Sequence, residues 1–433
     1  MVGVAGMELD GDAPVNVPPI RVKGEPFSSP GWRMAFWVGL AVALAAAILV
    51  GFFVYSFDAA PYASGYVSDE VYYASVAAKL AMYMFGYGGP APSVASSISD
   101  SYWNFEHPPL AKYIMAASIA LLRTPSWISY RAPSIAMAIL EPLIIYLAFA
   151  WPPGPGKEGV ARATAGAVAA TIFPLEHIVR VEGGLALLDP YAAFFTLISL
   201  ALAMRRKYLA SAFAAGLAIA SKETALPLAL ALPLFYIANE ARRPTASVRK
   251  AELMLLLPIA IGVISYVPEF VFFGLKTVIY NGILLMAHWD LVSRPSGPTP
   301  SQPIDWFVGR NSMALVYTVV NGRTIVVLAS MTPAVELPAL AIAVYNAVSR
   351  ALERRRIWDA PTIFFFVQLL GFYAAYLAGN HTLYSMYSII FVPMTAALWG
   401  ELAYSIVVRL TPAPPQARQE APAAPAAAPA PAP

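Results

Sequence analysis

The sequence predicts an all-α, polytopic integral membrane protein. Of its 433 residues, 59% are hydrophobic and only 12% are charged, whereas soluble domains carry about a quarter charged residues. Charge this sparse cannot coat a globule in water, and no long polar block is present to form a separate soluble domain. We therefore predict one membrane domain with about 10–11 transmembrane helices, since each crossing takes roughly 20 apolar residues.

The apolar stretches give the order of these helices. The first, from Met34 to Tyr55, is long enough to span and lacks a clear small-residue cleavage site, so we predict an uncleaved first helix. The further apolar stretches lie near residues 109–122, 131–150, 160–175, 187–204, 208–221, 223–239, 252–274, 324–348, 361–379 and 384–408.

Composition divides the rest of the chain. Residues 1–32 are predicted to be a disordered cytoplasmic leader, residues 33–408 the transmembrane domain, and the Ala/Pro-rich residues 411–433 a disordered tail. Within the domain, residues 58–107 form a long first outer loop with short interfacial helices, including one capped by Ser68. Residues 275–320 form a later outer loop.

Positive residues predict the orientation, because cytoplasmic loops carry an excess of Lys and Arg. If the 109–122 and 131–150 stretches contribute one crossing together, every strong cluster falls inside. This arrangement predicts ten crossings in the plasma membrane, both termini in the cytoplasm, and the 109–122 piece in or on the outer leaflet. Eleven crossings is the competing count. The clusters are Arg205 to Lys207, Arg242-Arg243 with Arg249-Lys250, and Arg350 with Arg354 to Arg356.

This topology collects ionisable residues on the outer side, where groups at membrane depth are functional candidates. Cations can neutralise a phosphate, and a carboxylate can take a proton from a hydroxyl, so the set suits a lipid-phosphate donor. The net charge of +3 is too small to indicate nucleic acid, there are no cysteines, and no His/carboxylate set has metal-ligand spacing. The set is Asp69, Glu70, Glu106, His107, Lys112, Arg131, Arg180, Asp189 and Lys222, joined by His381 and Tyr384.

At these residues the chain resembles a known family. The run from Glu106 to Lys112 is similar to a His-Pro-Pro-Leu-Gly-Lys signature, with Ala111 replacing Gly, and Asp69-Glu70 matches the paired acids upstream of it. The family is the protein O-mannosyltransferases (dolichyl-phosphate-mannose–protein mannosyltransferases, glycosyltransferase family 39-like), which have the GT-C glycosyltransferase fold. The resemblance runs from about residue 34 to 400, with weaker matches at Arg131 to Pro133, Arg180 to Asp189, Gly216 to Lys222, and Ser301 to Trp306.

The resemblance implies an inverting transferase without a cofactor or metal, which moves mannose or another hexose from a polyprenyl (dolichyl) phosphate to Ser/Thr hydroxyls of proteins on the outer face. It implies Asp69 as the catalytic base and Glu70 as the residue that positions the acceptor. Arg131, Arg180 and Lys222 would bind the donor phosphate. Glu106, His107, Lys112 and Asp189 would support them, with Trp306, His381 and Tyr384 as weaker contacts to acceptor or sugar.

Two other functions stay open. The acceptor could be a lipid or glycan, as in the related aminoarabinose transferases, because the later loop is too short for the family's lectin-like insert. A transporter or flippase of a lipid-linked sugar is the non-enzymatic alternative. Individual residues also have plain structural explanations: Asp69 and Glu70 as first-turn acids of a helix, Lys112, Arg131 and Arg180 as snorkelling cations.

Overall fold

The computed structural model describes residues 30–89, 99, 101–124, 126–152, 154, 156–240, 246–294, 296–352 and 359–410. Nearly all of the predicted leader, the whole predicted tail, and the basic clusters at 242–243 and 354–356 lie outside these residues. The first helix begins at Pro30, so the last three leader residues belong to it. Described residues are mostly helical, with one two-stranded sheet.

The elements follow one another along the chain as seventeen α-helices and two strands in the described part. The helices are α1 Pro30–Asp58, α2 Glu70–Phe85, α3 Leu110–Leu122, α4 Ile128–Ala150, α5 Gly156–Leu175, α6 His177–Glu182, α7 Asp189–Met204, α8 Tyr208–Ser221, α9 Leu228–Glu240, α10 Val248–Ile264, α11 Val267–Phe273, α12 Leu275–Val278, α13 Leu284–Leu291, α14 Pro303–Phe307, α15 Pro333–Leu352, α16 Ala360–Ala378 and α17 Val392–Leu410. The strands are β1 Met313–Val320 and β2 Arg323–Ala329. Short 3₁₀ turns cover Glu223–Ala225 and Ser385–Phe391, and a π-helical turn covers Ile279–Ile283.

Length and composition identify the membrane helices. Within the described residues, six helical segments are long and apolar enough to span: Gly31–Asp58, Ile128–Ala150, Val248–Phe273, Pro333–Leu352, Ala360–Ala378 and Ser385–Leu410. Helices α3, α7 and α8 are shorter and apolar. The 13 residues of α3 extend over about 20 Å, less than the roughly 30 Å hydrocarbon core. The predicted total of 10–11 crossings stays a prediction.

Small residues allow the central helices to approach closely. A Cβ added to Gly39 of α1 would lie 2.8 Å from the Tyr146 ring, and one on Gly166 of α5 would lie 2.8 Å from the Tyr146 carbonyl oxygen. At Gly400 of α17 the same addition would meet the Phe149 ring at 2.7 Å. Membrane helices associate through such small-residue contacts because lipid supplies no hydrophobic driving force between them. These contacts form a rigid core beneath the loops.

The hairpin formed by β1 and β2 corrects the predicted helical stretch at 324–348, whose first part is strand. Asn321 and Gly322 both have positive φ, 51° and 72°, which is the type I′ geometry that suits a two-residue hairpin turn. The β-branched run after them then pairs antiparallel with β1. The hairpin base is tied to the Ser385–Phe391 turn, since the Ser385 hydroxyl donates to the Ala329 carbonyl and accepts from the Met313 N–H.

Candidate active site

The first outer loop is fixed by a buried ion pair between Glu70 and Arg131. Both side chains are fully buried. Glu70 Oε1 accepts from Arg131 Nε at 2.8 Å and from the Ala186 N–H at 2.6 Å, and Oε2 accepts from Arg131 Nη2 and from the Val67 N–H at 2.8 Å. A carboxylate offers about four such positions, so Glu70 has none left for a substrate.

The guanidinium donors of Arg131 are also all bound by protein atoms. Its Nη1 donates to the carbonyls of Asp58 and Ala63, its Nη2 donates to Gly65 as well as to Glu70, and Asp58 Oδ1 lies 3.5 Å from Nη1. Together with the Nε bond, these use all five guanidinium donors. Neither residue therefore has an open hydrogen-bonding position for a substrate, and the donor-phosphate role of Arg131 and the acceptor role of Glu70 stay predictions that this geometry does not support. The pair instead holds the loop against α4 and the α6–α7 connection.

The signature run from Glu106 to Lys112 is fixed by its own lysine. Lys112 is fully buried and donates to the Asn104 and His107 carbonyls, the latter at 2.9 Å, with Glu269 at 4.0 Å. Glu106 accepts from Asn104 at 3.1 Å and from the Tyr102 hydroxyl. These bonds curl the loop end tightly before α3, which places His107 beside the 3₁₀ turn after α8.

Other predicted residues lie elsewhere. Arg180 donates to the Pro174 and Leu175 carbonyls at 2.7 and 3.2 Å and stacks over Phe53, away from Lys222, so its predicted phosphate role is not supported by its position. Trp306 is buried and donates to Ser301 Oγ at 2.7 Å within an aromatic core, so its position does not support the predicted sugar contact. His381 is exposed, and its ring packs edge-on against Tyr376.

A buried lysine lies at the centre of the residues that do converge. Lys222 Nζ donates to Asp189 Oδ2 at 2.8 Å and lies over the rings of Tyr387 and Tyr73, at 4.9 and 6.0 Å from the centroids. Burial alone would lower the pKa of Lys222, but Asp189 chiefly, with Tyr73, Tyr387 and Glu223, raises it well above its usual value. The ion pair with Asp189 thus favours the charged form of Lys222.

A cavity of about 380 Å³ opens beside this group, within the usual range of ligand sites. Its polar wall includes His107, Glu223, Asp290, Arg294 and Tyr387. His107 Nδ1 lies 3.1 Å from Glu223 Oε1. Burial would raise the pKa of Glu223, but the His107 charge and hydrogen bond, with the Lys222 charge, lower it to about 2. The rest of the wall is largely apolar, from Leu226, Pro227, Met286, Leu291, Phe372, Ala374, Ala375, Ala378 and Leu383.

Arg294 is the cation of this cavity, and reasoning from the sequence missed it. Its guanidinium stacks over Trp289 and Tyr384, 5.4 and 6.0 Å from their centroids, and within the described residues it forms no ion pair with a carboxylate. Burial would lower the pKa of Arg294, but Tyr387, Tyr384 and Asp69 outweigh it and raise the pKa. The only sequence signal was its place in the later loop, next to Trp289 and Asp290.

Asp69, the predicted base, is half-buried at the N-cap of α2 and makes no side-chain capping bond. The predicted cap Ser68 is wrong, because Ser68 has a positive φ of 53° and Asp69 takes the N-cap position. The negative charge of Asp69 acts on Tyr73, Tyr384 and Arg294. The charge of Asp69 thus acts on the cavity cation Arg294, whereas its neighbour Glu70 is bound to Arg131 in the buried pair.

Comparison with known proteins now bears on this geometry. Residues 106–267 match the family model of the dolichyl-phosphate-mannose-protein mannosyltransferases. The matched part contains His107, Asp189, Lys222 and Glu223. The predicted resemblance is confirmed over these residues. No curated protein matches the sequence.

A solved structure agrees with the fold of this chain. A crystal structure of the oligosaccharyltransferase from Archaeoglobus fulgidus in the apo form matches with a TM-score of 0.50 and 14% identity, over 87% of this chain and 51% of that one. The same organism's oligosaccharyltransferase AglB, in complex with an inhibitory peptide and a dolichol-phosphate, gives a TM-score of 0.48 with 14% identity and the same coverage. The chain spans about half the length of these enzymes. The predicted helical membrane fold of GT-C type is confirmed.

The described part of the protein contains no evident metal site. Among those residues, no group of three or more His, Asp or Glu side chains is arranged to hold a metal ion. Whether the enzyme works without a metal stays a prediction.

Proposed function

We propose that this glycosyltransferase transfers mannose or another hexose from a polyprenyl phosphate to a hydroxyl acceptor, with inversion. The observation that carries the proposal is the cavity cation Arg294, which has no carboxylate partner in the described chain, together with Asp69, whose charge acts on Arg294. A cation for the donor phosphate and a base for the acceptor are the two groups that this transfer requires.

The leaving group explains the need for Arg294 and Lys222. A polyprenyl phosphate departs as an anion of low basicity, so it needs charge stabilisation and no proton. Arg294 supplies donors at the cavity wall, and Lys222, held protonated by Asp189, adds positive charge behind Tyr387. Guanidinium and ammonium groups aimed at a phosphate stabilise the charge that develops on it.

The acceptor hydroxyl must lose its proton as its oxygen attacks the anomeric carbon. Asp69 takes that proton, which as general-base catalysis contributes about 10²–10⁴-fold. The apolar wall from Leu226, Met286 and Phe372 suits the first isoprene units of the donor, because the cavity lies beside spanning helix α16.

For the acceptor we propose Ser/Thr hydroxyls of proteins on the outer face of the plasma membrane, with both termini of the chain in the cytoplasm. The match to a protein mannosyltransferase family supports a protein acceptor. A lipid or glycan acceptor is the second candidate, and the described outer loops offer no separate domain to select against it.

The test uses the purified full chain with dolichyl-phosphate mannose and a Ser/Thr peptide. Asp69→Asn should lower kcat by at least about 10²-fold while the unfolding midpoint stays within a few degrees of wild type. Unchanged turnover would show that Asp69 is not the general base. Failure of the wild type to cleave the sugar–phosphate bond in detergent, where no second compartment exists, would favour transport of the lipid instead.

A further inference from the structure

Asp290 is a cavity carboxylate that the transfer described above does not use. It lies near the end of α13, lines the cavity together with Arg294, and is half-buried. Within the described residues its carboxylate makes no hydrogen bond and no ion pair. A half-buried carboxylate without a partner loses hydration and gains nothing from the protein, so its position suggests a ligand.

The other two carboxylates of the cavity wall already have partners. Glu223 is bound to His107 through both oxygens, at 3.1 and 3.2 Å. Glu106 accepts from Asn104 and Tyr102. Among the described cavity residues, Asp290 is therefore the carboxylate with no hydrogen-bond or ion-pair partner.

Asp290 and Arg294 line the same cavity. The charges of Glu223, Lys222 and Arg294 all act on Asp290. A sugar linked to a phosphate at Arg294 would lie within a few ångströms of that cation, and so in the cavity whose wall contains Asp290.

We infer that Asp290 binds hydroxyl groups of the donor sugar and so determines which lipid phosphates the enzyme accepts. This inference rests on the proposed function. A carboxylate accepts hydrogen bonds from hydroxyls on adjacent ring carbons, and such charge-assisted bonds are about twice as strong as neutral ones. A site built around them rejects a ligand that lacks the hydroxyls, because the buried group is then left unpaired.

The protonation of Asp290 is consistent with this role. Burial chiefly, with the charge of Glu223, raises its pKa to about 7, although Lys222 and Arg294 oppose the shift. Glu106 and His107 line the same cavity. A ligand whose hydroxyls donate to the ionised carboxylate would favour that form, so the sugar-dependent affinity should be greater at pH 8 than at pH 6.

The test compares dolichyl phosphate with dolichyl-phosphate mannose and dolichyl-phosphate glucose as ligands of the full chain in detergent. Wild type should bind at least one sugar-bearing lipid more tightly than the bare lipid. Asp290→Asn should reduce that gain by about ten-fold, as expected for loss of a hydrogen bond to a charged group, and leave the affinity for dolichyl phosphate within two-fold. His288→Gln, an exposed change on the same helix, should alter neither.

The outcomes separate the two claims. If wild type binds none of the three lipids, the proposed function fails. If wild type prefers a sugar-bearing lipid and Asp290→Asn keeps that preference, or if wild type binds all three equally, the inference about Asp290 is overturned. Arg294→Gln should weaken all three lipids together, which distinguishes phosphate binding from sugar binding. Unfolding midpoints of each variant check that the fold is intact.

Discussion

Two groups of arginine and carboxylates lie in segments predicted to be on the outer side, and they differ in how many of their hydrogen bonds the protein itself provides. In the Glu70–Arg131 pair, all five guanidinium donors and both carboxylate oxygens bind protein atoms. In the cavity, Arg294 has no carboxylate partner in the described chain and Asp290 has no hydrogen bond. The cavity group therefore has hydrogen-bonding positions open to a substrate, whereas the buried pair has none.

The largest expected effect comes from breaking the first group. Arg131→Met leaves Glu70 buried without its partner, which should lower the free energy of unfolding by about 3–5 kcal/mol. The measurement is thermal unfolding in detergent. The double variant Arg131→Met with Glu70→Met removes both charges and should recover part of the loss. If the single variant were as stable as wild type but unable to bind donor, Arg131 would be a ligand of the donor phosphate.

A smaller effect concerns the His107–Glu223 pair at the cavity wall. The pKa of Glu223 is lowered to about 2, so its folded value lies below its unfolded value of about 4.3. The stability that it contributes is therefore present above that unfolded value and is lost as the pH falls toward 2. The difference in unfolding midpoint between wild type and Glu223→Gln should shrink between pH 5 and pH 3. A difference that stays constant over this range would contradict the paired geometry.

The smallest effect separates a core aromatic from a sugar platform. Trp306→Phe removes the bond to Ser301 and part of a packed ring, so the free energy of unfolding should fall by about 1–2 kcal/mol. The activity per folded molecule should stay within two-fold, because Trp306 is buried behind Phe372 and does not itself line the cavity. A raised KM for the donor at unchanged stability would indicate that Trp306 does contact the sugar.

The sequence was sufficient for the architecture because apolar length and polar interruptions report the membrane directly. It also placed Asp69, His107 and Lys222 in one region. The apolar pattern predicts a helix at the start of the 324–348 stretch, where the Val- and Ile-rich run forms a strand. The Asn321-Gly322 turn before it is a strong hairpin signal.

The site was harder to predict than the fold for two physical reasons. Arg131 and Arg294 look alike in a sequence, and only the positions of Asp58, Glu70 and the loop carbonyls show that the first is saturated. Arg294 also lies in a loop without periodicity, more than 200 residues along the chain from Asp69. Its contact with Trp289 is local, and tertiary packing brings it beside Tyr384.

The most direct test compares the two arginines as ligands of the donor phosphate. The measurement is the affinity for dolichyl phosphate of Arg294→Gln and of the Arg131→Met, Glu70→Met double variant, each checked for folding. We expect Arg294→Gln to lose about ten-fold or more, the size of a charge-assisted bond, and the double variant to bind within two-fold of wild type. The reverse result, with normal binding by Arg294→Gln and a large loss in the folded double variant, would contradict the assignment.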